Sequence, residues 1–376
     1  MQQASATDSG GVHIRFGHGG AFYGDLRKRA DAYFEGAGRP RRDLGRMYLK
    51  TAIILTWFFG SWALLVFYAT TWWQGVIFAM SIGLAIAGIG MGIQHDANHG
   101  GYSNTPWVNR ALGLTLDLMG VCSYFWRQKH NIIHHTYTNI QGVDFDLDFG
   151  VIARLSPEQP RRGYQRYQHY YMWFLYCFLL PKWVFHDDFV LLRTMKAGPH
   201  KLPPMSRGEL ALFYGAKVVF VAWSLVIPSF FHPIWQVVLF HLLAASTMGV
   251  VLSSTFQLAH CAVKADFPPP PPDGEIIAED WGAHQVSTTI DFARTSRPLA
   301  WFLGGLNFQV EHHLFPKVCH LHYPALSRIV EETAAEHGVR YRCETTLKQA
   351  LAAHYRHLEK MGREDGEGSP TVREVL

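Results

Sequence analysis

Eight of the chain's 21 histidines are grouped at spacings that can hold a metal. His95 and His99 stand four apart in HDANH, which on a helix stacks two imidazoles on one face, about 6 Å apart along the axis. In HNIIHH, His130 and His134 share a face, and His135 is turned about 100° away, as adjacent helical residues are. A third group, QVEHH, ends in His312 and His313, and His260 closes an apolar stretch between the second and third groups. A mononuclear site rarely needs more than four imidazoles, so eight suggest two metals. Neutral imidazole suits Fe, Cu, Zn or Ni, and spacing alone does not choose among them. With no cysteine box, an iron–sulfur cluster is disfavoured. Asp96, Asn98, Asp144, Asp146 and Glu311 lie beside the boxes, where carboxylates and carbonyls accept the second N–H of a metal-bound imidazole. A lone H-x-x-x-H is common by chance. Three boxes on one side of a membrane are not.

That shared side follows from the apolar segments. Stretches at about 51–69, 76–93, 210–231 and 234–258 are long enough to span a bilayer, which takes roughly 20 residues. They pair as two hairpins whose connecting turns hold Trp72, Trp73, Pro228 and Pro233 but no Lys or Arg. Arg27, Lys28, Arg29, Arg39, Arg41, Arg42 and Arg46 precede the first span, so the positive-inside rule places both termini and the central segment in the cytoplasm. All three boxes and His260 then meet the cytoplasmic face. The expected fold is an all-α membrane protein of four transmembrane helices, with a helical cytoplasmic cap over the metal site. Expected divisions are a basic arm at 1–47, a catalytic domain at 48–330 and a helix and tail at 331–376. Stretches at about Val108–Phe125 and Tyr170–Phe185 read as interfacial helices under the bilayer. Pro268–Pro272 reads as a stiff spacer. Lys217 is expected to snorkel to the interface, and His241 to be a hydrogen-bonded core group.

Composition agrees. Charged residues make up 17% and apolar ones 48% of the chain, a charge deficit against the roughly 25% of soluble domains that points to lipid contact. A formal charge of +4 is too small to argue for nucleic acid. Five cysteines without a C-x-x-C pair fit a reducing compartment, and no signal-peptide pattern opens the sequence. Histidines 13, 18, 169, 186, 200, 232, 284, 320, 322, 354 and 357 read as surface, interface or core groups.

At HDANHGGYS (95–103), WRQKHNIIHHTYTNIQGVDFD (126–146) and GGLNFQVEHHLFPKVCHLHYP (304–324), the chain resembles the membrane fatty acid desaturases. The resemblance is nearest to their front-end acyl-lipid, linoleoyl-type delta-6 branch, because Gln309 stands where the third box usually begins with histidine. It implies two iron ions held by His95, His99, His130, His134, His135, His260, His312 and His313, with Gln309 a ligand or a neighbour of one. It also implies O2 as co-substrate and an acyl-lipid or acyl-CoA substrate. Many front-end members carry a haem domain with an H-P-G-G motif. Here Gly17-His18-Gly19-Gly20 lacks the proline, so an external donor of ferredoxin or cytochrome b5 type is expected.

Unactivated methylene C–H bonds resist acid–base chemistry, so redox metals must supply the oxidising power. Trp126, Phe308 and Phe315 adjoin the boxes and are candidates for lining an apolar tunnel. Two other functions fit less of the sequence. A di-iron hydroxylase or ketolase would use the same boxes. A metal carrier predicts polar groups inside the spans, which here are almost uncharged.

Overall fold

In the computed structural model, residues 14–17, 20–36, 38–147, 149–271, 276–277 and 279–364 are described. His13, His18 and Pro272 lie outside them, as does the tail beyond residue 364. Four long apolar helices carry the architecture: α2 (Gly45–Tyr68), α3 (Trp72–His99), α4 (Arg207–Ser229) and α5 (Ile234–His260). Before them lies α1 (Ala21–Glu35). After them come α6 (Trp281–Thr288), α7 (Gln309–Leu314), α8 (Tyr323–Glu336) and α9 (Leu347–Arg363). Local signals set several starts: Ser206 and Glu209 form a reciprocal capping box on α4, and Asp280 caps α6 by accepting from the Gly282 and Ala283 amides.

The long helices expose what a water-soluble protein would hide. In its most apolar stretch α3 is 67% buried, whereas α2, α4 and α5 are only 28%, 17% and 33% buried. Phe59, Phe67, Val218 and Leu239 face outward from these helices. An apolar surface of this extent fits lipid, and α3 is the inner member of the set. A Cβ added at Gly83 of α3 would lie 2.4 Å from the Ala244 carbonyl oxygen of α5, so the small residue permits the backbones to approach.

Three expectations change. The long helices run past the apolar stretches at their polar ends, so the first histidine box is the last turn of α3 and His260 the last residue of α5. The stretch Val108–Phe125 is broken into short helical pieces, because Gly120 turns at φ +82° and buried Asp117 accepts from the Ser123 amide. Lys217 does not snorkel. Its ammonium donates to the Gly120 and Val184 carbonyls at 2.6 and 2.8 Å and pairs with Asp188 at 2.6 Å. Those partners become available only once the turn at Gly120 and the 179–194 segment pack against α4.

The C-terminal helix α9 docks back on the core through polar groups. Buried Arg154 donates to the carbonyls of Met361 and Glu364, at 2.8 and 2.7 Å, satisfying the end of α9. On its buried face, His354 Nδ1 donates to the Cys261 carbonyl (2.6 Å) while its Nε2 accepts from the Tyr176 hydroxyl (2.7 Å). His357 Nε2 donates to the Leu155 carbonyl. Burial pushes His354 down to about 4 and His357 to about 3, so both stay neutral in the folded state after the unfolded chain has begun to bind protons near pH 6.5. Stability is therefore complete above pH 6.5 and is lost as pH falls toward 4. Each ring contributes about 3 kcal/mol to that loss. Thermal melts of the purified protein at stepped pH, with His354→Gln shallower than the parent chain, are the expected result.

Candidate metal centre

Each box reaches the site by a different backbone device. His95 and His99 sit one helical turn apart at the end of α3, with ring centroids 4.8 Å apart. Gly100 at φ +72° then ends the helix. The second box lies in a π-helical segment, Arg127–His134. Widening of the helix there leaves His130 close to both followers, 5.1 Å from His134 and 4.9 Å from His135 by ring centroid. The third box is α7, and the loop before it must press against α3. Gly304 (φ +61°) allows this, because a Cβ there would lie 2.1 Å from the Met91 carbonyl oxygen.

All eight histidines converge and all are buried. Nitrogens of His95, His99, His130 and His312 lie within 4.8 Å of one another, and so do those of His134, His260 and His313. His135 joins His312 and His313 in a third such group, which links the other two. The box spacings therefore do not map one box to one cluster. His130 and His134 share a helix face but serve opposite clusters, and so do the adjacent His312 and His313.

Among the described residues, seven buried ring nitrogens here have no hydrogen-bond partner: Nε2 of His99, His134, His312 and His313, Nδ1 of His260, and both nitrogens of His135. His95 Nε2 and His130 Nε2 face each other at 3.2 Å. Buried polar atoms left in this state cost roughly 1–3 kcal/mol each unless something binds them. Burial, reinforced by mutual repulsion among the rings, holds His130, His135, His312 and His313 well below the usual histidine range. Neutral rings with inward lone pairs are metal donors, and the set fits metal ions.

Around the donors, the polar neighbours are more selective than their sequence positions suggest. Asp144 accepts from His134 Nδ1 at 2.8 Å, aiming Nε2 inward. Burial disfavours the His134 cation, but the Asp144 charge and hydrogen bond outweigh it and the ring is raised. Asp146 lies 3.5 Å from His130 Nδ1 and 3.3 Å from Lys129. Gln309 contacts His260, with Nε2 atoms 2.9 Å apart. Asn98 instead bonds Gln94, Gly113 and Arg127, and Asp96 turns to His320. Glu311 meets Tyr341 beside Asp291, and burial next to that second carboxyl raises it strongly. Of the tunnel candidates, Trp126 stacks on His130 at 4.5 Å and borders a small cavity of about 20 Å³. Phe308 and Phe315 pack among α1, α7 and α8. A larger apolar cavity of about 350 Å³ lies among the four long helices, between Trp62, Ile86, Trp223 and Ala245.

Several participants carry no signal in the sequence. Gln285 of α6 accepts from His313 Nδ1 and from the Thr138 hydroxyl, both at 2.8 Å. Asn139, at φ +59°, donates to the carbonyls of His260, Asp266 and Thr288. The Tyr323 hydroxyl lies 3.4 Å from His312 Nδ1. Thr138 and Asn139 follow His135 by three and four residues, and that nearness was the one available cue.

Comparison with known proteins decides the family. A profile described as fatty acid desaturase matches residues 70–345. The chain belongs to the fatty acid desaturase family. Among curated relatives, this desaturase is 38% identical over 351 residues to an sn-1 linoleoyl-lipid 6-desaturase of Synechocystis sp., covering 93% of this chain and 98% of that one. It is 39% identical over 350 residues to the protein of the same name from Arthrospira platensis, covering 93% and 94%. An acyl-lipid (8-3)-desaturase of Physcomitrium patens is 37% identical over 349 residues, covering 91% of this desaturase and 72% of that chain.

Proposed function

We propose that this desaturase is a front-end enzyme of the linoleoyl-lipid 6-desaturase type, acting at two irons held by His95, His99, His130, His134, His135, His260, His312 and His313. It inserts a cis double bond between the carboxyl end and the existing double bonds of an unsaturated acyl chain. The observation that carries the metal assignment is the pair of buried histidine clusters joined through His135. The names of two relatives matched over nearly their full length support the regiochemistry.

The overall change converts –CH2–CH2– and O2, with two electrons and two protons, into –CH=CH– and two waters. When bound, the irons supply with O2 the oxidising power that unactivated methylenes require. The chain's own residues do the rest. Asp144 and Gln285 fix the ring orientations of His134 and His313. Trp126 forms an apolar wall beside the first cluster and is the residue placed to guide an acyl chain past it. The electrons come from a separate ferredoxin- or cytochrome b5-type protein, docking on the face that carries the boxes. That face is cytoplasmic, with four crossings and both termini on the same side, as the basic residues ahead of α2 support.

The test is expression in a host with a working donor, supplied with linoleate, beside His134→Ala. Fatty acids are analysed by gas chromatography–mass spectrometry. A new cis double bond on the carboxyl side, absent from the variant, is expected. A product heavier by one oxygen would replace desaturase with hydroxylase. Purified protein without iron would overturn the metal assignment.

A further inference from the structure

Asp96 lies between two proposed ligands in sequence, yet its carboxylate points away from both clusters. Oδ2 accepts from His320 Nδ1 at 2.8 Å and from the His320 amide at 3.2 Å. His320 Nε2 lies 2.9 Å from Lys50 Nζ. Lys50 comes from α2 and is 1% exposed, and its ammonium sits 5.3 Å from the Trp301 ring centroid. Gly92 of α3 leaves room for it, since a Cβ there would be 2.9 Å from Nζ.

An ammonium only donates, so His320 Nε2 must accept and Nδ1 must carry the proton given to Asp96. The chain of bonds therefore has one direction and no net charge: cation, neutral ring, anion. Buried charges are tolerable when paired in this way. Cys319 stands beside Asp96 and His320 at distances that resemble a metal site. Both His320 nitrogens are already engaged and a cation is present, so this group is a filled network.

We infer that Lys50, His320 and Asp96 are positioning residues that hold the four-histidine cluster, and not its neighbour, ready for metal. The inference rests on the two-iron reading. Three elements meet in the network: α2, the last turn of α3 and the loop after α7. The last turn of α3 supplies His95 and His99, and the loop follows His312 by eight residues. All three belong to the first cluster. The second cluster is held separately, His134 by Asp144, His313 by Gln285 and the His260 carbonyl by Asn139. Loss of such outer partners typically weakens metal binding about 10–100-fold.

The experiment is anaerobic ferrous-iron titration of the purified full chain, with iron per chain and ⁵⁷Fe Mössbauer spectra as readouts and helix content as the folding check. The parent chain binds two irons. Lys50→Met and His320→Gln are expected to keep one tight iron while the other weakens about 10–100-fold, replacing the coupled-pair spectrum with that of a single ion. Lys50→Met with Asp96→Asn removes both charges together and should recover most of the lost affinity. Unchanged binding of two irons in both single variants would overturn the relay, as would equal weakening of both sites or no recovery in the double variant. A parent chain that does not bind two irons would instead sink the two-iron reading itself.

Discussion

His135→Ala is expected to abolish desaturation, lowering turnover by at least about a hundredfold, and to disturb both clusters together. Its ring lies 4.7 Å from His99 and 4.6 Å from His312 on one side, and 4.3 Å from His313 on the other. No other residue of the eight has both ring nitrogens buried without a partner. The ring is therefore available to either metal. Two consequences separate this variant from His99→Ala. Iron per chain should fall below one in His135→Ala, whereas His99→Ala should keep the iron of the second cluster. The metal-free His135→Ala protein should retain its fold, because truncation also removes two unsatisfied buried nitrogens worth roughly 1–3 kcal/mol each. Elemental analysis, product analysis and helix content measured on one preparation check all three. Retention of two irons by His135→Ala would remove the ring from the ligand set.

Asn139→Ala is expected to be the most damaging substitution at a residue that binds no metal. The side-chain Nδ2 lies 3.0, 3.1 and 3.1 Å from three carbonyls from three places in the chain, and its two hydrogens are shared among them. Its own amide donates to Asp144 Oδ2, the atom that also accepts from His134. Truncation strands buried carbonyls at about 1 kcal/mol or more each and keeps an alanine at φ +59°, which costs about another 1 kcal/mol. A total near 3 kcal/mol is a large share of the stability of most domains. Asn139→Gly separates the two effects, because glycine accepts the backbone angle while still losing the bonds. It should recover about 1 kcal/mol of the loss and none of the iron affinity of the second cluster. Melting curves and iron titration of the pair measure this. Equal stability of Asn139→Ala and the parent chain would show that the carbonyls find other partners.

These two residues illustrate how differently the sequence exposes a site. His135 is legible because three histidine boxes in one chain are rare and imidazole chemistry is narrow. Asn139 is not, since asparagine is common in turns and nothing nearby names the three carbonyls it will meet. His320 was read as an ordinary core or surface group for the same reason: its partners, Lys50 and Asp96, lie 270 and 224 residues away. Lys217 shows the converse error. A lysine near the end of an apolar stretch has an obvious local solution in snorkelling, and only the packing of a distant segment provides the carbonyls and carboxylate that replace it.

Composition was enough for the four apolar helices. It acts through a quantity summed along the chain, namely apolar length. Residue type was enough for the ligand candidates, because few side chains bind metal. The tertiary structure decided which histidine joins which cluster, dividing His130 from His134 and His312 from His313. It also decided which carboxylate serves a ring and which turns away. A π-helical segment, two glycines at positive φ and a buried lysine set those choices. Each depends on contacts between residues far apart in sequence, where the direction of a side chain follows from the surface it packs against and not from its neighbours along the chain.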